Sequence, residues 1–285
     1  MKILYRSRGT MNYTSTRTSV AVLKDMHLLE LVTDAVQRTG TALWSRYSTT
    51  ARPADRGALS RALDQNEKSA VGYLRAALAV ARPRAGWVGE EQQFTALPPG
   101  EWWAVDAVEG NINLVHGLSD WSVNATLIRD NEPVLTVVYQ PVGDLTYTAT
   151  RDAGAFVNGI PLNVSAKTDL RLAIATAGQA EVGQRGTYRL IGASIAAMLE
   201  HTLLVRATVP TTFPMLRVAA GHEDLFWQYQ PSLAGVAAGV LLITEAGGMV
   251  TDLHGAPWHP GSPGILACAP GLHVDALKIL TPLHY

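Results

Sequence analysis

Acidic side chains stand where apolar runs stop. Glu90 and Glu91 follow Trp87-Val88, and Asp106 and Glu109 follow the run from Trp102 to Val105. Carboxylates at strand ends are suited to sharing a hard cation such as Mg2+, which takes oxygen ligands and keeps part of its shell for water and phosphate oxygens. Glu90, Asp106 and Glu109 supply such oxygens, and the Val108 carbonyl adds another if Gly110 lets the backbone turn tightly. The N–H groups of Gly110, Asn111, Ile112 and Asn113 are then placed to meet a phosphate. Acidic residues beside loops are more often solvated surface groups, and spacing alone leaves that explanation open.

The surrounding chain has to be able to bury such a site. Its 285 residues are 47% hydrophobic and 16% charged, which supports a sizeable core and excludes a disordered chain. The 23 Lys+Arg against 24 Asp+Glu give a formal charge of -1. The basic excess of a nucleic-acid or anionic-membrane binder is therefore absent. Cys268 is the one cysteine, so neither an internal disulfide nor a thiolate metal cluster is available, and a reducing cytoplasm is the expected compartment. The longest apolar runs, around Val236 to Ile243 and Leu135 to Val138, fall far short of the ~20 residues of a membrane span. Residues 1–23 carry Lys2, Arg6, Arg8 and Arg17 but no continuous apolar stretch, and read as a flexible extension.

Helical spacing of Leu28, Leu29, Leu31, Val32, Ala35 and Val36 predicts a helix over Asp25 to Gln37, with Gly40 as its stop. A polar, Arg-rich stretch leads to a second helix over Asn66 to Val80. Strands are expected at Trp103 to Val105, Val123 to Ile128, Val134 to Tyr139, Leu145 to Thr150 and Ala155 to Val157, with Asn158-Gly159 forming a hairpin turn. After Lys167 helices at Arg185 to Leu199, Thr212 to Ala220 and Ser232 to Ala246 interleave with short strands. Ser232 is the expected N-cap of the last of these and Gly247 its left-handed stop. The chain divides into an α+β half over 24–167, which carries the acidic motif, and an α/β half over 168–285, packed as one unit.

Several ordered motifs resemble the inositol monophosphatase family. Asp106-Ala-Val-Glu109-Gly110-Asn-Ile-Asn113-Leu-Val-His116-Gly117 is similar to the family signature Asp-Pro-Ile-Asp-Gly-Thr-Thr-Asn-Phe-Val-His-Gly, and Gly89-Glu90-Glu91 to its upstream Gly-Glu-Glu. Further landmarks follow in order at Gly154-Ala-Phe-Val-Asn158-Gly159, Ala237-Ala238-Gly239, Glu245-Ala246-Gly247-Gly248 and Thr251-Asp252. The resemblance covers Lys24 to the C-terminus. It implies a layered αβαβα sandwich of the inositol monophosphatase and fructose-1,6-bisphosphatase type. It also implies a Mg2+-dependent, Li+-sensitive phosphatase of small phosphorylated metabolites, usually a homodimer.

Carried over position by position, Glu90, Asp106 and the Val108 carbonyl fall on the ligands of the first metal. The second metal site departs from the pattern. Glu109 replaces its second Asp, Gly235 stands where its third Asp belongs, and Ala234 replaces the neighbouring Trp. Three carboxylates, Glu90, Asp106 and Glu109, remain of four, so one Mg2+ is expected and a second is weakened. Asn111 and Ile112 replace the two threonines of the signature, and Asn111 keeps a hydrogen-bonding group for water. Glu67 falls near an optional third metal, with Asp64 as the alternative in another register. Gln228 occupies a position where some members bind substrate hydroxyls through a Glu, and equally fits a plain surface Gln. The resemblance implies phosphate monoester hydrolysis as the default. Non-hydrolytic chemistry on a phosphorylated or diphosphorylated intermediate and a decayed scaffold are the alternatives.

Overall fold

The computed structural model describes residues 20–284 apart from Val182. Two long helices, α1 (Val20–Trp44) and α2 (Arg56–Ala81), precede a seven-stranded sheet in chain order. Its strands are β1 (Gly86–Trp87), β2 (Glu101–Glu109), β3 (Ser122–Arg129), β4 (Glu132–Gln140), β5 (Leu145–Thr150), β6 (Ala155–Val157) and β7 (Ile160–Pro161), with the short helix α3 (Asn111–Val115) between β2 and β3. The second half supplies β8 (Ile174–Gly178), α4 (Tyr188–Leu199), β9 (Leu204–Thr208), α5 (Thr212–Ala219), β10 (Leu225–Tyr229), α6 (Leu233–Glu245), β11 (Met249–Thr251), β12 (Gly264–Cys268) and α7 (His273–Leu280). These five strands pair in the order β11-β12-β10-β8-β9.

Burial fixes the layers. Leu28, Val32, Ala35 and Val36 of α1 and Leu74 and Leu78 of α2 pack on β2 to β4. Helices α5 and α6 lie between the two sheets, and α4 and α7 cover the outer face of the second. The result is the layered αβαβα sandwich. Because α6 is covered on both sides, it is apolar nearly all round, with Val236 to Ile243 buried or nearly so.

Element boundaries differ from the sequence reading for identifiable reasons. Helix α1 runs through Gly40 to Trp44. A Cβ at Gly40 would lie 2.5 Å from Tyr139 Cδ1, so this glycine permits close approach to β4 and does not stop the helix. Helix α2 starts at Arg56 because Asp55 caps it, accepting from Ala58 N at 2.8 Å. Ser232 has the extended backbone of an N-cap but makes no side-chain cap bond. Gly247 is left-handed at φ 82, as expected of a stop. The expected extension over 1–23 falls largely outside the described residues, and Val20 onward already belongs to α1. Cys268 is buried in β12, and burial pushes its thiol up to about 12. Among the described residues no helix is long and apolar enough to cross a membrane.

Candidate active site

The acidic motif sits on a defect in the first sheet. Asp106 pairs with Asn124 and Glu109 with Ser122, so Ala107 and Val108 together face only Val123. One extra residue on β2 bends the strand and re-aims its side chains, which a regular ladder would send to opposite faces. Asp106 Oδ1 accepts from Val108 N at 3.0 Å and holds the irregular turn. Gly110 then turns the chain at φ 75 and ψ 33 into α3. The first-turn N–H groups of α3 have no intrahelical carbonyl to reach.

The bulge sets the Glu109 carboxyl beside Asp106, and both border one cavity. Glu109 is 5% exposed. Burial first, then the negative charge of Asp106, hold the Glu109 carboxyl well above the ordinary carboxylate range; Thr212, whose N–H donates to Oε1 at 3.5 Å, pulls the other way. Partial desolvation, then Asp106, also raise the Glu67 carboxyl.

The sign of a pH effect follows. A carboxyl whose pKa is raised by folding contributes full stability below its unfolded value and loses it as pH climbs through the folded value. Metal-free protein is therefore expected to lose thermal stability as pH rises from below the ordinary carboxylate range. Glu109→Gln presents a donor toward Asp106, keeps an acceptor for Thr212, removes the ionisation, and should flatten that slope. At pH 8 in chelator its Tm should exceed the native value by about 2–4 °C, the shift made by ~1 kcal/mol in a chain of this size. A pH series of melting curves checks it; an unchanged slope would mean that Glu109 does not titrate this way.

Asn111 is engaged elsewhere than expected. Asn66 Nδ2 donates to Asn111 Oδ1 at 2.8 Å, and Asn111 Nδ2 donates to the Leu63 carbonyl at 3.1 Å and to Glu67 Oε1 at 3.4 Å. Its amide thus ties α3 to α2, with both ends occupied. Ile112 is exposed. Glu67 lines the same cavity as Asp106; Asp64 does not. Glu90 is exposed in the turn Glu90–Gln92, and its carboxylate makes no hydrogen bond or ion pair among the described residues. What fixes that turn is Gln93: its carbonyl accepts from Leu233 N and its Oε1 from Ala234 N, both at 3.0 Å, satisfying the start of α6 that the Ser232 side chain leaves uncapped.

Gln228 is not a surface residue. It is 1% exposed on β10, accepting from Thr211 Oγ1 at 2.9 Å and donating to the Gln179 carbonyl at 3.0 Å. Its Nε2 also approaches Glu181 Oε1 at 3.5 Å. Glu181 carried no motif in the sequence, yet Ser232 N and Oγ donate to its Oε1 at 3.3 and 3.1 Å. Asp106, Glu109, Gly110, Glu181, Ser232 and Gly235 all border one cavity of about 230 Å3.

The model of the inositol monophosphatase family matches residues 25–282. The chain belongs to this family. It is 33% identical over 203 residues to an inositol-1-monophosphatase of Rhizobium meliloti, spanning 70% of this chain and 76% of that protein. It is 26% identical over 259 residues to an inositol monophosphatase of Dictyostelium discoideum, spanning 88% and 94%. Among solved structures, an extragenic suppressor protein from Bartonella henselae superposes with a TM-score of 0.73 at 25% identity over 89% of this chain and 98% of that one. The inositol monophosphatase of Anabaena has the same fold, with a TM-score of 0.73 at 24% identity over 90% and 96%.

The site of this inositol monophosphatase family member can be tested for a cation from its own donors. The Asp106 and Glu109 carboxyls meet behind a polar cavity, and such a pair needs a proton or a cation between its oxygens. Hard, all-oxygen donors suit Mg2+. Among the described residues no three His, Cys, Asp or Glu side chains form a ready-made cage. The fit is to one open site on a carboxyl pair. Gly235, whose carbonyl accepts from the same Thr212 that donates to Glu109, offers no side-chain ligand.

Proposed function

We propose that this family member hydrolyses the phosphate monoester of a small metabolite with one Mg2+ held at Asp106 and Glu109, joined by the Val108 carbonyl and by Glu90 from the turn before β2. The Asp106–Glu109 pair carries the reading: a buried carboxyl set beside a second acid on the lining of a polar cavity is a poor surface feature and a good cation seat. When bound, the cation polarises the phosphoryl group and supplies hydroxide from coordinated water. Gly110, Asn111 and Ile112 present backbone N–H groups at the head of α3 to the phosphate oxygens, and the tie from Asn111 to α2 keeps that turn in place. Glu181, fixed by Ser232, adds a further carboxyl to the lining of the same cavity. With Gly235 in place of a carboxylate, a second cation is weakly held.

Hydrolysis of a panel of phosphate esters with and without Mg2+ tests the reading; rates equal to those of an Asp106→Ala control overturn it. One observation favours a second reading: the occupied Asn111 amide leaves no side chain there to orient water, as transfer or cyclisation would require. Reaction in 18O-labelled water separates them, since hydrolysis puts one label into the phosphate. Gly235→Asp restores a carboxylate to the cavity, with its Cβ 3.0 Å from Ser232 Oγ, so that hydroxyl must turn aside. The variant should bind Mg2+ about tenfold more tightly and melt lower than the native protein in chelator. Calorimetry showing no gain in affinity would mean that another group already fills the role.

A further inference from the structure

A second, larger cavity of about 370 Å3 opens on the other side of Asp106, within the range that holds a small ligand. Its walls are mixed, with Trp87, Val88, Val105 and Ala234 beside Gln93, Ser232 and the charged groups. Its charged lining consists of Glu67 and Asp106 at one end and Arg75 as the cation. The Arg75 guanidinium lies 4.7 Å from the centroid of the Trp87 ring, a stacking that holds its plane without using its N–H donors. Among the described residues no carboxylate pairs with it. Arg75 follows Glu67 by two turns of α2, about 12 Å of helix at 1.5 Å per residue. The Arg75 backbone therefore stands about two helical turns from that of Glu67 on the same cavity.

We propose that this cavity is a subsite for a second anionic group of the substrate, a carboxylate or a further phosphate, with Arg75 as its partner. A planar fork with five donors matches either anion bidentately, and the Trp87 ring beneath it fixes the plane of that fork. The assignment rests on the phosphatase reading only for where the reacting phosphate sits.

The test uses non-hydrolysable probes, phenylphosphonate, 4-carboxyphenylphosphonate and 1,4-phenylenebisphosphonate, titrated calorimetrically into the full chain with Mg2+ present. At least one of the two dianchored probes should bind about tenfold more tightly than phenylphosphonate, and which one does identifies the anion. Arg75→Gln should remove that advantage and leave phenylphosphonate unchanged. Arg75→Lys should keep part of it, and Arg84→Gln, an equal charge change outside the cavity, should keep all of it. No advantage in the native protein, or an advantage that survives Arg75→Gln, overturns the proposal. Asp106→Asn reports separately on the reaction centre: if it weakens none of the probes while the Arg75-dependent advantage persists, the metal reading fails and the subsite stands.

Discussion

Asp106→Asn is expected to lower kcat/KM for phosphate esters by about 10³-fold, the effect of losing a few kcal/mol of transition-state stabilisation. Asparagine keeps the oxygen that accepts from Val108 N, so the bulge in β2 should survive. Glu109 then loses the anion that helps to hold its proton, and the pair can no longer offer two anionic oxygens to a cation. The variant should therefore fold, melt near the native temperature in chelator, and fail to gain stability when Mg2+ is added. Kinetics and melting curves with and without Mg2+ measure both halves. A variant with native turnover would show that the reaction centre lies elsewhere, whereas a collapsed one would assign Asp106 to the fold.

Gly110→Ala is expected to cost about 2–4 kcal/mol of stability, and with it roughly 5–10 °C in Tm. The residue is left-handed at φ 75, and a Cβ there would lie 2.5 Å from the Asp120 carbonyl oxygen and 3.0 Å from Pro210 Cγ. Neither neighbour can yield freely. The Asp120 carbonyl accepts from Asn113 Nδ2 at 2.8 Å, and the Asp120 carboxylate pairs with Arg217 at 2.6 Å. Relief of the clash would displace the start of α3, so remaining activity should fall further than the loss of folded protein explains. Activity corrected for folded fraction distinguishes the two; a fully active, stable alanine variant would contradict the close approach at this turn.

What could be read from the sequence was local. Helical spacing located α5 and α6 to within a residue or so, strand alternation located β3 to β6, and the motif from Asp106 to Gly117 placed the acids on a strand that gives way to a turn. Reading failed where proximity comes from topology. Arg75 and Trp87 belong to α2 and β1, and only the packing of those elements stacks them. Glu181 follows β8, a strand whose Ala175 and Ala177 are buried but too small to give a strong hydrophobic signal. Its meeting with Ser232 depends on the crossover that sets β8 beside β10. Gln228 did carry a usable clue: it follows the unbroken apolar run Leu225-Phe226-Trp227, which suits a strand covered on both faces and argues against a surface glutamine.

Gln93 couples two elements far apart in the chain. Through two bonds at 3.0 Å the turn that bears Glu90 is latched to the head of α6, the helix that bears Gly235 and is wedged between both sheets. The turn that carries Glu90 and the helix that carries Gly235 are thereby tied at two points, so a displacement of either strains both bonds.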